Sequence, residues 1–302
     1  MLGRSLGRHL SARGYRVILA PSRSELDLSN TAAVAEYFDR NRPTLVFHLA
    51  ATVYGIGGNM KNQFRSYIQN TSITSNVLHG CATAGVSKVF FAGTVASYPY
   101  PYTELPLREE LFFSGNPHYG EYGYANAKRH AYYGLEILRR EQGMSYVYGI
   151  LTNLYGPNDQ FDIENGHVVP SLVHKLFRAS CDGAAMQVWG DGTAIRDFLY
   201  VDDAAEAIVH CMETATDMVN IAHGSAVTIA DVVNSLCRAA RFQGEVGYQT
   251  DKPTGIQDRS VDVSRLRALG FIPKVSLEQG LASTYRWFVD NVTSARGVAS
   301  AA

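Results

Sequence analysis

The sequence predicts an α/β fold: a doubly wound parallel sheet carrying a smaller C-terminal lobe. Three observations lead there. Short β-branched runs alternate with longer amphipathic stretches through the first half of the chain, and such alternation implies crossover units and a parallel sheet covered on both faces. A length of 302 residues with a 46% hydrophobic share suits one large α/β unit, or two intimate lobes, with a sizeable core. The alternation loosens after Tyr155, where Gly156, Pro157, Asp159 and Asn165-Gly166 mark loops.

In chain order, residues 4–13 read as a helix and 17–20, Val-Ile-Leu-Ala, as a strand. A helix follows over 31–41, with Ser29, Asn30 or Thr31 as its cap, then a strand over 44–49 entered through Pro43. Residues 64–84 have helical periodicity, 88–92 read as a strand, 119–142 as a long helical segment and 145–152 as a strand. Beyond Tyr155 the pattern predicts a helix over 167–180, a short strand over 187–189, and helices over 201–214, 228–240 and 276–292. The dinucleotide-binding part is expected over 1–155 and 197–225, the substrate lobe over 156–196 and 226–302, with a frayed tail from Thr293.

Composition narrows the function. With 27 basic and 28 acidic side chains the formal charge is −1, whereas a nucleic-acid protein shows a basic excess or stripe. No apolar run approaches the roughly 20 residues that span a bilayer. Cys81, Cys181, Cys211 and Cys237 lack C-x-x-C spacing and read as small core residues, with no disulfide framework and no metal site. No secretory signal is visible, so the expected compartment is cytoplasmic.

The head of the chain is unusual for this fold. A dinucleotide-binding sheet opens with a strand, a glycine-rich turn and a helix. Here Met1-Leu2-Gly3 runs straight into the first helical stretch, and Gly3 stands where the last glycine of that turn belongs. The first strand and part of the glycine-rich turn are missing. The expectation is that Met1 is an internal methionine, preceded by roughly 10–15 residues carrying a strand and two glycines.

The chemistry centres on Tyr124-Ala125-Asn126-Ala127-Lys128. Residues four apart share a helix face. An ammonium beside a phenol favours the phenolate, and the tyrosine can then exchange a proton with a sugar oxygen. Such a pair is common alone, so context decides. The strand that ends in Ala92-Gly93-Thr94 puts a hydroxyl at its carboxyl end, and Thr152-Asn153-Leu154-Tyr155-Gly156-Pro157 ends another strand at the same edge. In an open parallel sheet that edge is where ligands bind.

With these motifs the chain resembles the extended short-chain dehydrogenases/reductases of the nucleotide-sugar branch, the NAD-dependent epimerase/dehydratase family. Its pattern is most similar to the GDP-L-fucose synthases, which epimerise and reduce GDP-4-keto-6-deoxymannose. The resemblance covers nearly the whole chain. It includes His48-Leu49-Ala50-Ala51, Gly55-Ile56-Gly57-Gly58-Asn59, Gln69-Asn70, the run Asn165 to Pro170, Val188-Trp189-Gly190, the run Arg196 to Asp203, Asp262 to Leu266 and Leu281 to Phe288. It implies a Rossmann-like fold and, by position, Tyr124 as proton donor to the C4 oxygen, Lys128 as its tuning partner and nicotinamide-ribose ligand, Thr94 as the hydroxyl on the keto oxygen and His167 as an acid/base residue. Gly3, Ala50, Ala51, Asn70, Lys128 and Asn153 fall at cofactor positions. Asn153, Trp189, Arg196 and Arg259 fall on the substrate side, where an arginine fork suits a diphosphate. Plainer readings stay open for three of these: a surface ion pair for Arg196, a core residue for Trp189 and an exposed charge for Arg259.

The second strand speaks to the cofactor. NAD binders place a carboxylate at its end and NADP binders an arginine nearby. Here the chain runs Ala20-Pro21-Ser22-Arg23 with no carboxylate before Glu25, which favours NADPH and leaves NAD open. Asp27-Leu28 resembles the pair that meets the adenine.

One departure outweighs the agreements. The resembled synthases pair the loop histidine with a cysteine two residues after the catalytic Ser/Thr, and that position is Ala96. The expected activity is therefore 4-ketoreduction of a GDP-linked 6-deoxy sugar or heptose in surface-polysaccharide sugar biosynthesis, with absent or limited C3/C5 epimerisation. A nucleotide-sugar 4-epimerase or 4-dehydrogenase with tightly bound NAD is the alternative, and a non-catalytic NADP-binding regulator is the alternative of another class. The resemblance also implies a homodimer formed by the helices over 64–84 and 119–142, the latter carrying Tyr132, Tyr133 and Ile137.

Overall fold

The computed structural model describes residues 1–53, 56–252 and 255–298; Gly55 of the glycine motif and the tail from 299 lie outside them. The first half runs α1 (Leu2–Ala12), α2 (Thr31–Asn41), β1 (Leu45–His48), α3 (Ile56–Lys61), α4 (Gln63–Ala84), β2 (Lys88–Thr94), α5 (Tyr122–Gln142), β3 (Ser145–Leu151) and β4 (Asn153–Tyr155). The second half runs α6 (Val168–Asp182), β5 (Met186–Trp189), β6 (Ile195–Arg196), β7 (Phe198–Tyr200), α7 (Val201–Thr214), β8 (Met218–Ile221), β9 (Val227–Thr228), α8 (Ile229–Ala240), β10 (Val246–Gln249), β11 (Asp258–Arg259), α9 (Ser264–Ala268) and α10 (Leu277–Asn291).

Local chemistry sets the helix ends. Asn30 caps α2 by accepting from Ala33 N at 3.1 Å, satisfying an otherwise orphaned donor. Thr228 with Asp231 and Ser276 with Gln279 form capping boxes at α8 and α10. Gly85 and Gly143 close α4 and α5 in the left-handed region, which glycine adopts without a Cβ penalty.

The central sheet is parallel, in the order β1-β2-β3-β8. This is the Rossmann-like arrangement the alternation predicts. Phe90, Phe91, Val147, Tyr148 and Ile150 on its strands are fully buried, as expected where helices cover a parallel sheet. α5 packs against β2 and β3 beside α4, α7 also packs on β2 and β3, and α1 packs on α7. A second core gathers Phe161, Val173, Leu176, Leu236, Leu281 and Phe288 from α6, α8, α10 and the loop before α6. Phe198 and Tyr200 join this second core, while Val261, Val263, Leu266 and Phe271 return to the first. Among the described residues no helix is long and apolar enough to cross a membrane.

One expected element does not form. Residues 17–20 run as irregular chain, with Val17 83% exposed. A strand exists only through a paired neighbour, and among the described residues the sheet stops at β1, which pairs with β2 alone. The short strands β4, β7 and β8 do not stand out in the sequence. β4 and β7 pair with each other over three residues, too short a run to show a period of its own.

Candidate active site

The carboxyl ends of β1, β2 and β3 meet at one edge, and α5 brings Tyr124 and Lys128 to it. α5 is held there by its own backbone. Ser97 Oγ donates to Ala125 O at 3.1 Å and Tyr148 Oη donates to Lys128 O at 3.0 Å. Lys128 is buried and its Nζ donates to Ala92 O at 2.7 Å, two residues before Thr94 on β2. The same Nζ lies 4.7 Å from the Phe91 ring centre and 5.8 Å from that of Tyr124. The helical spacing thus puts phenol and amine on one face, beside the strand that ends in Thr94.

The electrostatics differ from the sequence expectation. Burial pushes the Lys128 ammonium down to about 7. Burial, then the Glu121 carboxylate, push the Tyr124 phenol up from its ordinary value. Desolvation of both groups therefore outweighs the pull of the lysine on the phenol. A tyrosine held this way keeps its proton at neutral pH. Thr94 is half-buried, and its Oγ1 accepts from Ala96 N at 3.2 Å.

At the end of β1, His48 is buried against Phe91 with its Nε2 unpartnered. Burial, then the Lys128 charge, lower its imidazole to about 3. Ala50, exposed, and Ala51, half-buried, follow in the loop. Asn70 is fully used in holding that loop. Its Oδ1 accepts from Thr52 N at 2.8 Å, and its Nδ2 donates to Thr52 O at 2.9 Å and Ser66 O at 2.8 Å. Gly3 sits exposed in the first turn of α1 with nothing within 4 Å of an added Cβ. Arg23 is exposed, and Asp27 accepts from Ser29 N at 2.9 Å, closing a turn before the half-buried Leu28. No bond joins Gly3, Arg23, Asp27 or Leu28 to the Tyr124 cluster among the described residues. A dinucleotide, the cofactor the resemblance implies, fits this edge. The buried, unpartnered His48 Nε2 at the end of β1 and the Lys128 amine, with only one of its N–H groups bonded to protein, leave polar groups unsatisfied at the carboxyl ends of the strands.

The substrate-side residues form a second group. Asn153 Nδ2 and Thr152 Oγ1 both donate to Asp197 O at 2.9 Å. The fully buried Asp197 carboxylate accepts from His223 N at 2.8 Å and Gly224 N at 2.7 Å. Arg196 and Arg259 are register partners on β6 and β11. Arg196 makes no ion pair among the described residues, and burial, then the Arg259 charge, lower it to about 10. Arg259 is committed: Nε donates to Tyr102 Oη at 3.0 Å, and its two terminal nitrogens donate to the two Glu121 oxygens. Trp189 is 42% exposed at the end of β5, with the Lys175 ammonium 4.6 Å from its ring centre. His167 is exposed at the cap of α6 and makes no cap bond.

Sequence reasoning missed Glu121, Lys175 and Asp159. Lys175 interrupts the apolar pattern of α6, which is a readable signal. Asp159 is buried with Oδ2 unpartnered, and burial raises its carboxyl against the pull of its backbone bond and of His167; nothing local in the sequence marks it.

Comparison with known proteins bears on this site. The sequence profile of the NAD dependent epimerase/dehydratase family matches residues 1–222. A GDP-L-fucose synthase of Sinorhizobium fredii is 35% identical over 295 residues, covering 97% of this chain and 93% of that one. The crystal structure of a GDP-L-fucose synthetase from Naegleria fowleri bound to NADP superposes with a TM-score of 0.88 at 27% identity, covering 98% of this chain and 92% of that one. A GDP-mannoheptose C4 reductase from Campylobacter jejuni with NADP bound gives 0.85 at 27% identity, covering 95% of each chain.

Proposed function

The chain belongs to the NAD dependent epimerase/dehydratase family, and from that premise we propose that it is an NADPH-dependent 4-ketoreductase of a GDP-linked 6-deoxy sugar or heptose, lacking double epimerisation. The observation that carries this reading is the intact Tyr124–Lys128 pair beside Thr94, with Ala96 buried where the resembled synthases hold an acid/base cysteine. Cys81 and Cys211 are buried in α4 and α7 with thiols pushed up to about 12 by burial. Cys181 is exposed on α6 and Cys237 half-buried on α8, unlike the core positions the sequence suggests for all four cysteines, and neither helix carries Tyr124 or Thr94, so no thiol is assigned the missing role.

Each side chain then has a task. The dinucleotide, held by Gly3, Arg23, Asp27, Leu28, Ala50, Ala51 and Lys128, supplies hydride when bound. Asn70 serves it indirectly, by fixing the loop at Thr52. Tyr124 donates its proton to the C4 oxygen while Thr94 hydrogen-bonds the same oxygen. The raised phenol suits a donor that must be protonated at neutral pH, and Lys128, near 7 and one turn along the same helix, supports a role in restoring that proton. Arg196, without a carboxylate partner, takes the diphosphate. Trp189 and Lys175 border the nucleotide, Asn153 borders the sugar, and His167 bonds a sugar hydroxyl. NAD in place of NADP is the second reading for the cofactor. As for partners, the working form is a homodimer through α4 and α5.

Incubation with GDP-4-keto-6-deoxymannose or its heptose analogue and NADPH in deuterated water tests the reading. NADPH should be consumed and the product should keep hydrogen at C3 and C5. Deuterium at both carbons would overturn the reductase-only assignment.

A further inference from the structure

Arg259 lies among the groups expected to bind a diphosphate, yet its guanidinium is turned away to protein. We propose that Arg259 is a positioning residue: by clasping Glu121 it fixes the turn from which Tyr124 projects, and it does not contact substrate.

Three elements meet at this guanidinium. It starts from β11, which pairs with β6. It donates to Tyr102, in the loop that follows Thr94, and its fork grips both oxygens of Glu121. Glu121 is the residue that opens α5, three before Tyr124, and its side chain makes no cap bond to its own helix. The carboxylate that would normally serve the helix start is instead held by a strand 138 residues further on.

The pair is enclosed, with side chains only 10% and 13% exposed. An exposed ion pair of this kind would be dispensable. A buried, bidentate one is not, since removing one partner strands the other charge away from water. The division of labour with Arg196 follows. Arg196 makes no ion pair among the described residues, feeling Glu121 and Asp258 only at longer range, and its second terminal nitrogen and Nε are left for an anion, while every nitrogen of Arg259 already donates to protein.

The clasp also carries an electrostatic consequence. The charged and titratable groups acting on Tyr124 are Glu121 on its turn, Lys128 on its own helix and Tyr148 on β3. With Arg259 in place the Glu121 charge is compensated. Without it, an unpaired carboxylate stands three residues from the phenol and opposes phenolate formation further.

The test compares wild type, Arg259→Met, Glu121→Gln, the double variant and Arg259→Lys, which keeps the charge if Arg259→Met folds poorly. Amide hydrogen exchange of the ligand-free protein should speed at least tenfold over residues 119–124 in each single variant, with β2 and β3 unchanged and Arg259→Lys intermediate. GDP affinity should stay within twofold. In turnover, which alone rests on the proposed reductase activity, kcat should fall tenfold or more with KM for the sugar nucleotide within twofold, and the double variant should be no worse than the worse single one. Unchanged exchange over 119–124 overturns the proposal. So does a tenfold loss of GDP affinity in Arg259→Met with kcat intact, the mark of a diphosphate ligand. If the wild type turns over neither sugar, the reductase reading falls while the exchange result still decides the role of Arg259.

Discussion

At the scale of single residues, the site is built from groups whose ordinary ionisation is suppressed by burial. Lys128 shows this most clearly. Its ammonium drops to about 7 from an ordinary 10.5, so between those pH values the unfolded chain carries a proton that the folded chain lacks. Stability therefore rises with pH across the window, and below about 7 the folded protein bears the full cost of the buried charge. A difference of one bound proton is worth about 1.4 kcal/mol for each pH step across that window. Urea unfolding of the ligand-free protein at pH 6.5 and pH 9.5 should show wild type gaining more than about 1 kcal/mol over Lys128→Met between the two. Parallel behaviour of the two proteins would show that Lys128 is not desolvated. The spacing of Tyr124 and Lys128 was legible in the sequence because it is a local property of one helix. The direction in which the phenol moves was not, since it depends on how much protein closes over α5 and on Glu121.

At the scale of elements, α5 is positioned by its neighbours more than by its own sequence. Its first turn is braced by α4. Gln63 Oε1 accepts from Gly123 N at 2.6 Å while Gln63 Nε2 donates to Tyr119 O at 2.6 Å. One amide thus satisfies an orphan donor of the helix start and the carbonyl just before it. The approach is so close that a Cβ on Gly123 would sit 2.1 Å from Gln63 O, which demands glycine beside Tyr124. Gly123→Ala should destabilise by about 1–3 kcal/mol, the usual cost of overpacking, and lower turnover. Gly3→Ala, whose added methyl meets nothing within 4 Å, should leave the melting temperature unchanged or slightly raised. Equal melting temperatures for Gly123→Ala and wild type would show that α4 gives way. Partners sixty residues apart explain why this brace escaped sequence reading, whereas the ends of α2, α8 and α10, each fixed by a residue within its first turn, did not. The strand expected over 17–20 failed for the opposite reason: its local pattern is sound, but pairing is a property of two segments.

At the scale of the whole molecule, the sheet edge and the second core account for the site, but not for the outer side of α4 and α5. Phe64, Tyr67 and Ile68 follow helical spacing on α4, and Phe64 is 78% exposed. On α5, Tyr133 and Ile137 stand one turn apart at 56% and 52% exposed. Tyr132, by contrast, packs on Tyr146 and Tyr148, so core packing explains that tyrosine, while Tyr133 meets the rings of Phe113 and Tyr132 at the surface and Ile137 is left without such a reason. Large side chains at helical spacing on two adjacent helices form the kind of apolar surface that marks an association site. A two-fold contact through such a surface repeats each side chain in both copies, so one substitution acts twice. In the proposed homodimer, Tyr133→Glu with Ile137→Lys places four charges in the contact. Light scattering at micromolar concentration should then report about half the wild-type mass, with melting behaviour otherwise retained because neither side chain serves the sheet core. An unchanged mass in that double variant, or a wild type already monomeric there, would remove α4 and α5 from the assembly and leave their apolar side chains facing water.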